Sequence, residues 1–104
     1  MRITLQYWDE CPNWRTALQR VRDALDELGL APGKIELEQV TSDEQAQDRR
    51  FRGSPSILID GDDPFAEAEA PYGLTCRVYR TEDGSLAGAP TVGQLVEAFR
   101  AHAA

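Results

Sequence analysis

Two residues of this chain carry reactive sulfur: Cys11, in "QYWDECPNWR", and Cys76, in "GLTCRVYR". Cys11 stands directly before Pro12, where one apolar period gives way to another. Ile3, Leu5 and Tyr7 alternate with Arg2, Thr4 and Gln6, the period of a strand. From Trp14 onward, Ala17, Leu18, Val21, Ala24, Leu25 and Leu28 recur at steps of three and four, the apolar stripe of a helix. Pro12 suits the first helical position, where its missing N–H costs nothing. A thiolate at that address faces the positive end of the helix macrodipole and several unpaired N–H donors. Such sites commonly lower a cysteine pKa from its free value of about 8.5, which makes the sulfur a nucleophile at neutral pH. Asp9 and Glu10, immediately upstream, would oppose this if they point inward. The structural alternative for Cys11 is a small buried hydrophobe at a turn.

The elements that must position these sulfurs follow from the same patterns. Gly29 provides a left-handed stop to the first helix. "KIELEQV" alternates again, Ile35 and Leu37 against Glu36 and Glu38, and predicts a second strand. Ser42 with Gln45 forms a capping box that opens a short polar helix running to about Arg50. After Gly53-Ser54-Pro55, "SILID" is a third strand, closed by an Asp60-Gly61 turn. The loop from Gly61 to Leu74 is long enough to suit a functional or lid role, and leads to a fourth strand, "TCRVYR". Thr91 with Gln94 makes a second capping box, and Val92, Leu95, Val96 and Phe99 give a terminal helix its apolar face. The order β-α-β-α-β-β-α predicts a single α/β domain over residues 1–104, with two parallel strands from the βαβ half and an antiparallel pair from the ββα half.

Composition narrows the class. The chain has 104 residues, 41% of them hydrophobic and 28% charged, in line with one globular domain. A formal net charge of −7, from eleven basic and eighteen acidic residues, lacks the basic footprint that nucleic acid requires. No apolar run approaches the length of a membrane span. "MRITLQYW" lacks the apolar region and cleavage site of a signal peptide, so the expected location is the cytoplasm. Two cysteines in a reducing compartment argue against a structural disulfide framework and for redox or metal chemistry.

An aromatic-ended strand, Cys-Pro-x-x at a helix start and Gly-Ser-Pro before the third strand together resemble the thioredoxin-like family. The resemblance implies a β-α-β-α-β-β-α sandwich, with a mixed four-stranded sheet flanked by helices. It implies further that Cys11 is the nucleophile and Pro55 a cis-proline beside it, shaping the site with Ser54 and Arg52. Trp14 stands where that family has its resolving cysteine, and Trp14 also falls on the apolar stripe, as a core residue would. Cys76 shares a strand face with Val78, and Arg77 shares the other with Tyr79. In the simplest form of this topology the fourth strand begins far from Cys11, and only the long Gly61–Leu74 loop would bring Cys76 back to it. Cys76 is then the resolving thiol if it is close, and a small thiol resolves the adduct if it is not.

The chain is also similar to the organomercurial lyases, whose two essential cysteines lie far apart, the second opening a strand of the type Cys-x-Val-x-Phe. "CRVY" is similar to that strand, and Trp14 replaces the aspartate of the first motif. This resemblance implies thiophilic metal or organomercurial binding by Cys11 and Cys76 rather than carbon–mercury cleavage, since soft metals prefer thiolates. Three functions remain open: thiol–disulfide chemistry with a protein or small-thiol partner, thiophilic metal binding, and a non-enzymatic interaction module. No cofactor is implied. His102, the only histidine, suits the negative end of the last helix. Asp60, Asp62 and Asp63 in "DGDDPF" lack the later glutamate of a calcium loop and read as a solvated turn. "GSPS" is not a nucleophile elbow, and "EDGSLAG" is only loosely like a glutathione-binding turn.

Overall fold

A computed structural model describes residues 1–30, 35–67 and 70–103. Strand β1 (Ile3–Tyr7) is central in the main sheet, whose order is β2-β1-β3. It pairs in parallel with β2 (Ile35–Gln39), from Ile3 opposite Ile35 to Tyr7 opposite Gln39. On its other side β3 (Ser56–Ile59) runs antiparallel, Ile3 facing Ile59 and Leu5 facing Ile57. Because β1 is central, its polar face is buried with its apolar one: Thr4 and Gln6 are as enclosed as Ile3 and Leu5. Gln6 meets this by donating its side-chain amide to Glu38 at 3.0 Å.

Helix α1 (Asn13–Glu27) buries Ala17, Val21, Ala24 and Leu25, the middle of the stripe read from the sequence. Pro12 stands one position earlier than expected, at the cap, with a helical φ of −72°. The helix stops at Gly29, which has φ +70° and lets Leu30 N–H return to the Leu25 carbonyl at 2.9 Å. Helix α2 (Asp43–Asp48) is capped by Ser42, whose hydroxyl accepts from Gln45 N–H at 3.1 Å. Helix α3 (Val92–Ala103) shows the full reciprocal box: Gln94 N–H donates to Thr91 Oγ1 and Thr91 N–H to Gln94 Oε1. Helices α1 and α3 pack together over the Ile3, Leu5, Ile57 and Ile59 face, closing a core with Leu95 and Phe99. A smaller cluster of Val40, Ala46 and Phe51, with Trp8 and Leu74 against it, sits beneath α2.

The sheet departs from expectation in its fourth strand. The main sheet has three strands, not four, and "TCRVYR" does not join it as a strand. Only Tyr79–Arg80 of that segment forms a strand, β4, which pairs antiparallel with β5 (Leu86–Ala87) in a separate ribbon. Among the described residues, the backbone of "TCRVYR" meets the chain before β3 only at the single bridge to Ser54, and beyond it Arg77 and Tyr79 bond Ser56 and Pro55 through their side chains. In the ribbon's turn, Thr81 and Ser85 donate to Asp83 and hold its carboxyl down to about 2. Lys34, at the start of the predicted second strand, and Ala68 and Glu69 of the long loop lie outside the described residues. Among the described residues no helix is long and apolar enough to cross a membrane.

At the far end of the sheet, Asp60 accepts from Arg2 N–H at 2.7 Å and meets His102 Nε2 at 3.1 Å. The Arg2 bond, with His102 adding to it, holds the Asp60 carboxyl below its ordinary value. Phe99, completely enclosed between α1 and the sheet, should cost about 3–5 kcal/mol when cut to alanine. Leu37→Ala on the open edge, 49% exposed, should shift stability by less than about 0.5 kcal/mol. Paired urea unfolding curves check both values.

Candidate functional site

The site begins with a close backbone approach. Gly53 has φ +112°, and a Cβ there would meet Thr75 Oγ1 at 2.9 Å and the Arg77 Cα at 3.2 Å. Without that atom, two chain segments come together in parallel: Ser54 N–H donates to the Thr75 carbonyl at 2.7 Å and Arg77 N–H to the Ser54 carbonyl at 2.9 Å. Cys76 is thereby set opposite Ser54 in an isolated bridge. The Ser54–Pro55 peptide bond is cis. Ser54, Pro55 and Ser56 are enclosed, and Ser56 Oγ donates to the Gly53 carbonyl at 2.7 Å.

On the other side, β1 delivers Cys11 through a turn closed by Cys11 N–H donating to the Trp8 carbonyl at 3.0 Å. Cys11 and Cys76, 65 residues apart, are brought to disulfide distance, with Cα atoms 5.7 Å apart. The loop thus brings Cys76 back to Cys11, against the simplest topology, because the Ser54 bridge captures it. The two cysteines differ sharply in exposure. Cys11 has no exposed surface, whereas Cys76 is exposed. Cys11 Sγ lies 3.5 Å from the Ser54 carbonyl, and the Asn13 side-chain amide points at it from 4.0 Å.

The other residues expected here divide. Asp9 and Glu10 are exposed, so they do not crowd the sulfur. Trp14 is half-buried against the core, its ring stacked on Tyr7 at 4.3 Å with the Arg15 guanidinium over it at 4.7 Å. Arg52 lies over the Tyr72 ring at 5.2 Å and lines a cavity of about 260 Å³. Thr75, Cys76, Val78, Tyr79 and Glu67 also line that cavity. His102 is held at Asp60, at the far end of the sheet.

The "DGDDPF" reading needs correction at one residue. Asp60 and Asp62 are exposed, but the Asp63 side chain is only 7% exposed and pairs with Arg77 at 2.6 Å. The pair is a fork: Arg77 Nη1 donates to Oδ2 and Nη2 to Oδ1, the second at 3.3 Å. Arg77 also donates to Ser56 Oγ at 3.1 Å and to the Phe65 carbonyl at 2.8 Å. Its guanidinium stacks over Tyr79 at 4.7 Å. The Tyr79 hydroxyl in turn donates to the Pro55 carbonyl. Burial pushes the Tyr79 phenol above its ordinary value and keeps it a donor. Sequence reading missed these three residues as a unit. Their signal was the face that Arg77 shares with Tyr79, opposite Cys76 and Val78, with an aspartate in the preceding loop to neutralise the arginine.

The chain matches no protein-family model, no curated protein and no solved structure.

Breaking a buried pair leaves the surviving charge without a partner. Asp63→Ala and Arg77→Ala should each destabilise by about 3–5 kcal/mol, with the double variant losing clearly less than the sum. A double-mutant cycle in urea measures this. Additive losses would show that the two groups act independently.

Proposed function

We propose that this chain is a thioredoxin-like thiol protein whose Cys11–Cys76 pair cycles between disulfide and dithiol. One observation carries the reading: the only two cysteines, 65 residues apart, meet between the start of α1 and the cis Ser54–Pro55 bond. A helix start favours a thiolate, and an exposed partner cysteine opens the pair to exchange. Pro55 is read as shaping the site beside Ser54, whose own N–H is taken by the Thr75 carbonyl and so is not free for a partner. The fold reading rests on the same elements: a central β1 with a parallel and an antiparallel neighbour, and a helix opening just after the cysteine. A cytoplasmic setting belongs to this reading, since a reducing compartment keeps such a pair turning over rather than shut. The partner is a protein disulfide or a small thiol.

The test is an equilibrium titration of the wild-type protein in glutathione redox buffers, with thiols counted by alkylation and intact mass. Reversible interconversion in the folded state is the expected result. A disulfide that yields only after the chain is unfolded would sink the redox reading. Opening the 65-residue link should also lower stability by about 4 kcal/mol if chain entropy dominates. Urea curves with and without reductant measure that loss.

The convergence of the sulfurs also favours a second reading, in which the reduced pair holds a thiophilic metal such as mercury. Tight mercury binding by the dithiol, without exchange in the glutathione titration, would select it over the first.

A further inference from the structure

Resting on the reading of the pair as a thiol–disulfide couple, we propose that Cys76 is the sulfur that meets the external thiol, and that buried Cys11 is the resolving sulfur. This reverses the order that a cysteine at a helix start suggests, and access decides it. Exchange needs an attacking thiolate to reach one sulfur from the side away from the other. Cys11 has no exposed surface, and Ser54 and Asn13 lie against its sulfur. Cys76 is exposed and forms part of the wall of the cavity of about 260 Å³ beside Arg52 and Glu67. That volume suits a small thiol.

The site also suits Cys11 as the leaving sulfur. When an external thiolate attacks Cys76 Sγ, a bond forms between those two sulfurs and the Cys11–Cys76 bond breaks. The electron pair departs on Cys11 Sγ. That charge develops at the start of α1, with the Asn13 amide aimed at it from 4.0 Å. Once protonated, the Cys11 thiol has an acceptor in the Ser54 carbonyl at 3.5 Å. A second external thiolate then attacks the external sulfur of the adduct, releasing the small disulfide and the Cys76 thiolate. The protein gains two electrons, and two thiols are oxidised to one disulfide. In the opposite direction Cys76 thiolate opens a small disulfide, and Cys11 thiolate attacks Cys76 Sγ to expel the remaining thiol.

The experiment uses the full chain and a neutral probe, mercaptoethanol and its disulfide. Reduced Cys11→Ser and Cys76→Ser proteins are each mixed with the disulfide under native conditions, and adduct formation is followed by intact mass. Cys11→Ser, which keeps Cys76, should form the adduct at least about tenfold faster than Cys76→Ser. Oxidised wild type, treated with mercaptoethanol, quenched in acid and mapped by peptide mass, should carry the adduct on Cys76. This second measurement needs no substitution, so a variant that folds poorly does not decide the matter. An adduct on Cys11, or faster reaction of Cys76→Ser, would overturn the order while leaving the redox reading intact. If no folded variant reacts and the wild-type disulfide resists mercaptoethanol until unfolding, both the order and the redox reading fall.

Discussion

Two backbone hydrogen bonds on one residue, Ser54, hold the arrangement together. Its N–H and its carbonyl are both taken by the chain on either side of Cys76, through Thr75 and Arg77. A segment that would otherwise hang at the end of a long loop is captured at the mouth of the central strand. The capture depends on an absence of bulk, since any side chain at Gly53 would strike the incoming backbone. The bridge at Ser54 sets Cys76 toward Cys11 through backbone bonds that are separate from the sulfurs.

Polar side chains complete what the backbone begins. Arg77, buried on the face opposite Cys76, fans out to Asp63, Ser56 and the Phe65 carbonyl and so ties the loop after β3 to the segment that carries the sulfur. Tyr79 adds a bond to the Pro55 carbonyl from two residues further on. Isolated, such a buried arginine would be costly; here it is forked to a carboxylate and its Nη donors also reach Ser56 and the Phe65 carbonyl. Cys76 is exposed while its neighbours on the other face, Arg77 and Tyr79, are anchored. Alternation along the segment turns burial of Arg77 and Tyr79 into exposure of Cys76 and Val78.

Features written within a few residues were legible. The stripe from Trp14 to Leu28, the stop at Gly29 and the boxes at Ser42 and Thr91 are local physics, and each has its counterpart in the structure. Alternation found β1 and β2, and a short apolar run found β3, but neither distinguished a central strand from an edge one. Thus Thr4 and Gln6 are buried and Leu37 is exposed, contrary to polarity alone. The fourth strand was overextended because hydropathy does not reveal whether a segment bonds through its backbone or its side chains. Asp63 was misread for a related reason: an aspartate beside a turn glycine is solvated unless a distant arginine arrives to meet it. The helix start just after Cys11 was legible from Pro12 and the apolar stripe, whereas the position of Cys76 depended on a bridge between remote segments that no local pattern encodes.

The junction at Asp60 has a consequence of another kind. It gathers the first residues of β1, the turn after β3 and the last turn of α3 at one end of the sheet, through Arg2 and His102. The sulfurs lie beyond the opposite end of β1, a strand of five residues or roughly 17 Å. The molecule therefore has a polarity: polypeptide joined before Arg2 or after His102 would emerge at the pole away from the disulfide. An affinity handle or a fluorescent domain fused at either terminus would leave the thiol face open to its partner.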